Sequence, residues 1–251
     1  SLFLDRSKTN YARKKDLFNR PKNITFVAVC NWMAYNVKSS FLGGYPIEII
    51  YNGIDLNVFR PKFNEENLKS CLLLKQKLNI KDNAKIVLGV ASTWDKRKGL
   101  DDFVQLRKML NDEYAIVLVG LSDKQIQSLP KGIIGIKRTE SVEQLAELYS
   151  LADVFVNPTY VDNFPTTNIE ALACGTPVVT FNTGGSPECI DDTCGSVVEY
   201  DNIDAIEREI IRICTKKPYN REQCLIKSRE FDKNERFKEY LKLYSDISKE
   251  Y

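Results

Sequence analysis

The chain has 251 residues, enough for one large domain or two modest ones around a sizeable core. Hydrophobic residues at 43% and charged residues at 28% exclude a disordered chain, and a formal net charge of +2 gives no global pull toward nucleic acid. Histidine is absent, which removes Ser-His-Asp and Cys-His nucleophiles and leaves carboxylates, Lys, Arg and backbone groups to carry any chemistry.

The first 22 residues carry Arg6, Lys8, Arg13, Lys14, Lys15, Arg20 and Lys22 against Asp5 and Asp16. Because these charges are interleaved rather than blocked, a solvated helix is favoured over a surface drawn to anionic lipid or acceptor phosphate. Leu2-Phe3-Leu4 is too short to be the core of a signal peptide, and no apolar run approaches the roughly 20 residues of a bilayer span. A chain that starts on Ser1 and enters a charged helical stretch at once is expected to be a piece of a longer protein.

Ile24–Val29 is predicted as a buried strand, with Asn31 as N-cap of a helix running to about Phe41 and stopped by Gly43-Gly44. Pro46–Tyr51 reads as a second strand, ended by the Asn52-Gly53 turn. A helical segment is predicted near Leu68–Leu78.

A strand–helix rhythm begins at Lys85. The predicted strands are Lys85–Ala91, Ala115–Gly120, Ile133–Lys137, Asp153–Asn157, Val178–Phe181 and Ser196–Glu199. The predicted helices are Leu100–Leu110, Val142–Leu151 and Thr166–Ala173, followed by residues 203–214, 220–230 and 233–249. Short apolar strands alternating with amphipathic helices imply an α/β domain with a doubly wound, Rossmann-like parallel sheet. Ligands bind such sheets beyond the carboxyl ends of the strands, which singles out the loops 91–98, 120–124, 137–141, 157–166 and 181–187.

The seven cysteines are odd in number and form no CxxC pair, so reduced thiols in a cytoplasmic compartment are expected rather than a disulfide framework. Cys189 and Cys194 are five apart, but without histidine no zinc-binding set is spelled out, and no metal is expected.

The richest segment is Asn157-Pro-Thr-Tyr-Val-Asp162-Asn163-Phe164-Pro165, which runs from a strand into a helix at Thr166. Pro165 suits the first helical position. The N–H groups of Thr166, Thr167 and Asn168 then form an anion site at the helix end. Glu170, one turn on, offers a carboxylate to a vicinal diol. A phosphate site beside a diol acceptor describes a nucleotide; a capped surface helix with a solvated Glu is the plain alternative.

Four segments together resemble family 4 glycosyltransferases. Asp162–Glu170, continuing through Gly175-Thr-Pro177 to Gly184-Gly185-Ser-Pro187-Glu188, looks like the family's acidic-x7-Glu signature. Tyr51-Asn-Gly-Ile-Asp55 with Phe59-Arg-Pro61 resembles its interdomain linker, and Lys98-Gly99 its phosphate motif. Glu147–Pro158 matches the strand leading into the signature, and the likeness spans roughly residues 24–230 in order.

The resemblance implies the C-terminal domain of a GT-B fold. Residues 1–50 would be a remnant of an acceptor-side domain, 51–232 the nucleotide-sugar-binding domain, and 233–251 a helix crossing back to the remnant. It implies a retaining hexosyltransferase that takes a UDP- or GDP-sugar and a glycan or lipid-linked acceptor, without a further cofactor. The protein would be cytoplasmic and peripheral to the inner membrane, and the isolated chain inactive. Glu170 would hold the ribose, the Phe164, Pro165, Thr166 and Thr167 backbone the diphosphate, Lys98 the departing charge, and Asp162 the sugar hydroxyls. Lys98, Asp162 and Glu170 form the expected catalytic set; Ser92, Arg97, Arg138 and Asn163 join the donor-binding set, Arg138 through a base-contacting loop at 136–141.

Two departures stand out. The first acidic position holds Asp162 where Glu is usual, and Ser92 stands where the family places an Arg, with Arg97 or Lys96 as candidate replacements. The alternatives are a GT-B nucleotide-sugar epimerase and a non-catalytic nucleotide-binding fragment.

Overall fold

The computed structural model describes residues 5–18, 20–62 and 65–249. Its centre is a six-stranded, wholly parallel sheet made of β3 (Lys85–Val90), β4 (Tyr114–Val119), β5 (Ile133–Ile136), β6 (Val154–Asn157), β7 (Val178–Phe181) and β8 (Gly195–Val198). The strand order is β5-β4-β3-β6-β7-β8, so the order reverses between β3 and β6. This is the doubly wound arrangement read from the sequence.

The strands are apolar on both faces because both are covered. Val87, Ile116 and Leu118 face Phe103 and Leu106 of α4 (Leu100–Met109) and Ile206, Ile210 and Ile213 of α8 (Ile203–Lys216). Leu88, Val117, Phe155 and Val178 face the layer of α6 (Val142–Leu151), α7 (Thr166–Ala173) and α9 (Arg221–Arg229), where Tyr149, Ile169, Leu172 and Cys224 are buried. Alternate residues of a strand point to opposite faces, so continuous branched runs fill two cores at once.

Ahead of this sheet, β1 (Phe26–Ala28) and β2 (Ile47–Ile49) form a separate parallel pair joined through α2 (Asn31–Lys38). The basic helix α1 (Ser7–Phe18) is exposed along its whole length; the Tyr11 ring meets Phe41 edge-on at 5.2 Å, and the Tyr45 hydroxyl donates to the Phe18 carbonyl at 2.5 Å. The C-terminal helix α10 (Lys233–Lys249) runs beside β2, where Glu48 and Ile49 share a groove with Leu243 and Ile247. The linker is pinned to the start of α10: Ile54 N–H donates to the Phe231 carbonyl at 2.9 Å, Lys233 N–H returns to Ile54 at 3.0 Å, and Lys233 Nζ meets Asp55 at 2.5 Å.

Several local readings are corrected. The N-cap of α2 is Cys30, whose sulfur accepts from Met33 N–H; Asn31 is the first helical residue. Pro165 is the N-cap of α7 rather than its first residue, with extended backbone at ψ 105°. The helix at α3 spans Glu65–Lys77. A short helix α5 (Asp123–Ser128) was not anticipated; Ser122 and Gln125 cap it reciprocally, a box that stands in the sequence. All seven cysteines are free thiols and buried. No helix among the described residues is long and apolar enough to cross a membrane.

One buried charge sits on α4. Asp102 is 7% exposed; one oxygen accepts from Tyr160 at 3.1 Å and the other has no partner among the described residues. Burial pushes its carboxyl up to about 6, the Tyr160 hydrogen bond opposes this, and the nearby Asp201 and Asp101 add to it. A raised folded pKa means that the folded state holds the proton longer, so stability falls as pH rises from about 4 to about 6 and stays lower above. Asp102→Asn is therefore expected to stabilise the chain by about 1–3 kcal/mol at pH 8 and by little near pH 4. Urea denaturation at the two pH values checks this; equal effects at both would contradict it.

Candidate donor site

The reversal between β3 and β6 places their following loops side by side, and a cavity of about 580 Å³ opens there. Ala91 and Ser92 follow β3, Gly120 follows β4, and Lys137, Arg138 and Thr139 follow β5. Asn157, Asp162, Phe164 and Pro165 come from the loop after β6, and Thr166, Thr167 and Glu170 from the first turns of α7. The size suits one small organic ligand.

The N-terminus of α7 points its positive end into this space. Pro165 offers no side-chain cap, and the N–H groups of Thr166 and Thr167 meet no protein acceptor among the described residues. Asn168 N–H, counted in the sequence among the free donors, is used: it donates to the Pro165 carbonyl at 3.1 Å. Its side-chain oxygen accepts from Asn157 at 2.8 Å, which ties α7 to the end of β6. Two free N–H groups on a helix dipole remain for an anion.

Lys98 lies at the end of a one-turn segment, Lys96–Lys98, capped by Asp95. Gly99 follows in left-handed backbone at φ 74°, where a Cβ would lie 2.4 Å from the Pro158 carbonyl oxygen; only glycine lets this turn press on the loop after β6. Thr159 Oγ1 and Tyr160 N–H both donate to the Arg97 carbonyl, at 3.1 and 2.7 Å. The Lys98 ammonium thereby enters the cavity and pairs with Asp162 at 2.5 Å.

Glu170 stands on the cavity wall. The hydroxyl of the fully buried Tyr149 donates to its Oε2 at 3.0 Å. Burial raises the Glu170 carboxyl above the ordinary range, and hydrogen bonds from Tyr149 and Thr166 pull the other way.

Nine of the eleven residues expected at the donor site line this cavity: Ser92, Lys98, Arg138, Asp162, Phe164, Pro165, Thr166, Thr167 and Glu170. Arg97 does not. Its guanidinium pairs with Asp95 at 2.7 Å in an exposed turn, and together with Lys96 it borders a different depression beside Tyr160. Arg97 and Lys96, the candidate replacements for the cation missing at Ser92, thus lie outside the cavity that Ser92 lines. Asn163 is exposed outside the cavity, and its carbonyl accepts from the Cys30 thiol at 2.9 Å.

A family model described as glycosyl transferases group 1 matches residues 73–247. The chain belongs to this family. Among its curated relatives are an alpha-galactosylglucosyldiacylglycerol synthase of Streptococcus pneumoniae, 31% identical over 66% of this chain and 46% of the relative. Another is an N,N'-diacetylbacillosaminyl-diphospho-undecaprenol alpha-1,3-N-acetylgalactosaminyltransferase of Campylobacter jejuni, 34% identical over 56% of this chain and 37% of the relative. The chain thus spans about half the length, or less, of these relatives.

Solved structures agree on the fold. Sucrose-phosphate synthase from Thermosynechococcus elongatus superposes with a TM-score of 0.81 at 22% identity, covering 99% of this chain and 65% of that one. HepE of Anabaena, solved in complex with UDP-glucose, gives 0.77 at 19% identity, covering 96% and 68%. The fold is the Rossmann-like parallel α/β fold of GT-B glycosyltransferases.

Three features of this member of the group 1 family escape the sequence reading. Tyr149 enters the sequence reading only as part of the Glu147–Pro158 segment; in the structure it is fully buried and its hydroxyl orients Glu170. Tyr160 was read only as part of the loop, yet it joins Asp102 to Asp201. Glu188 was seen in the glycine-rich motif without a role. Nothing local marks these functions, because each partner lies 21 to 157 residues away.

Proposed function

We propose that the chain is the donor-binding part of a retaining family 4 hexosyltransferase, which moves a hexose from a nucleoside-diphosphate sugar to a glycan or lipid-linked acceptor. The observation that carries this reading is the convergence, in one cavity at the strand reversal, of the α7 N-terminus, Lys98 and Glu170. The helix end and Lys98 take the charge that grows on the diphosphate as the glycosidic bond breaks. Glu170 takes the ribose hydroxyls, and Asp162, held by Lys98, faces the sugar. Lipid-linked acceptors agree with the names of the Streptococcus and Campylobacter relatives.

On this reading residues 1–50 are the remnant of the acceptor-side domain next to the linker, and the C-terminal helix at 233–251 braces it. The protein works in the cytoplasm at the membrane face, and the 251-residue chain alone binds donor without turnover. The epimerase alternative gains nothing from the geometry: the carboxylates lining the cavity, among the described residues, are Asp162 and Glu170. Titration calorimetry with UDP, GDP and their sugars, beside a transfer assay, tests the proposal. Failure of all four ligands to bind would refute it, and binding without turnover would be the behaviour expected of the chain alone.

We also infer a role for Arg138 from the charges around the cavity. Lys98 is neutralised by Asp162 and Lys137 by Asp123 at 2.6 Å, whereas Arg138 forms no ion pair among the described residues. A diphosphate would draw on that uncompensated charge. Arg138→Ala is expected to weaken UDP or GDP binding about three- to tenfold, less at high salt because the side chain is exposed. Unchanged affinity at low salt would remove Arg138 from the site.

A further inference from the structure

The donor loop has a second support, on the side away from the cavity. Gly184 and Gly185 lie under it so closely that a Cβ would sit 1.8 Å from the Asp162 carbonyl oxygen and 1.9 Å from that of Asn163. Gly185 N–H donates to the Asp162 carbonyl at 3.1 Å. The Cys30 thiol donates to the Asn163 carbonyl at 2.9 Å. The backbone at 162–163 is thus held by a glycine pair in the turn after β7 and by the N-cap of α2.

Glu188, in the turn Ser186–Cys189 that continues from these glycines, joins the two supports. Its carboxylate accepts from Asn31 N–H at 2.8 Å, Trp32 N–H at 2.8 Å, Asn31 Nδ2 at 2.7 Å and the Tyr51 hydroxyl at 2.9 Å. Both oxygens are used, and the first turn of α2 receives its negative charge from a residue 157 positions away. Burial would raise this carboxyl, yet the donors from Trp32, Asn31 and Tyr51 hold it below the ordinary range. The Tyr51 ring packs on Phe164 of the donor loop at 5.1 Å. One carboxylate therefore ties α2, the linker and the backing of the donor loop together.

We propose that Glu188 is a positioning residue for the donor site. It fixes the start of α2 and Tyr51 against the 162–164 backbone, and so sets the loop that leads into the diphosphate-binding end of α7. This rests on the donor reading above. A loop freed on one side shifts the groups that grip the diphosphate and leaves the far wall of the cavity, at residues 137–139, in place. The effect is accordingly specific to ligands that carry phosphate.

The test uses the full 251-residue chain with Glu188→Gln, read by amide hydrogen exchange and by calorimetry with UDP and uridine. An amide side chain keeps the size but loses the charge and one acceptor. Exchange at the Asn31 and Trp32 amides is expected to speed up, and UDP affinity to fall about fivefold or more with uridine affinity unchanged. Faster exchange with UDP affinity intact would reduce Glu188 to a helix cap and overturn the proposal, as would equal losses for UDP and uridine. Absence of both UDP and GDP binding by the unmodified chain would instead overturn the donor reading and this proposal together. Should Glu188→Gln not fold, Tyr51→Phe removes a single donor and keeps the ring; its expected UDP loss is about twofold or more, again without change for uridine.

Discussion

Lys98→Ala is expected to lower nucleoside-diphosphate affinity about tenfold or more and to leave nucleoside affinity nearly unchanged. Of the three successive cations Lys96, Arg97 and Lys98, the structure turns only Lys98 into the cavity. The loss has two parts. The ammonium no longer meets the diphosphate, and Asp162, whose partner it was at 2.5 Å, is left as an uncompensated negative charge beside the same anion. The second part makes a checkable signature: adding Asp162→Asn to Lys98→Ala is expected to recover some of the lost diphosphate affinity. Arg97→Ala and Lys96→Ala are expected to do little, since Arg97 is engaged with Asp95 in an exposed turn and surface ion pairs are worth little. Calorimetry with UDP, GDP and the corresponding nucleosides decides it. Equal small losses at all three positions would leave the phosphate site to the helix end alone.

Glu170→Gln is expected to weaken nucleotide binding by about 1–3 kcal/mol, the cost of losing charge-assisted bonds to the ribose. Here nucleoside and nucleoside diphosphate should lose alike, because the ribose is common to both; this separates Glu170 from Lys98. The pH dependence has a definite sign. Burial raises the Glu170 carboxyl above the usual 4.5, so in the free protein it takes up a proton earlier on acidification than an exposed Glu. Binding to a diol favours the ionised form, so affinity is full above that raised pKa and lost as pH falls through it, and the Gln variant should lack this step. Stability runs the other way: a raised folded pKa makes the ionised carboxylate costly above it, so Glu170→Gln should not destabilise the ligand-free chain at neutral pH. A folded variant with unchanged UDP and GDP affinity would end the ribose assignment.

The elements with strong local signals were legible in the sequence. Val142–Leu151, Thr166–Ala173, Val178–Phe181 and Lys233–Lys249 fall where the periodicity puts them, though the cap of the second differs. So was the principle that the loops after the strands form the site, because parallel sheets covered on both faces leave only their ends open. The open N-terminus of α7 and the place of Glu170 one turn on, both on the cavity wall, followed from residue type and spacing within one short stretch. Tertiary structure decided what spacing cannot encode. It set the order β5-β4-β3-β6-β7-β8, which brings the loop after β3 against the loop after β6. It chose Lys98 over Arg97, because Gly99 and the Pro158 carbonyl fix which way that turn faces. It gave Tyr149 a hydroxyl partner and Glu188 four donors from distant segments. Helix periods and caps are written in neighbours a few residues apart. Which side chain a carboxylate meets across 157 residues depends on which layers pack together, and that is settled only when the two cores close.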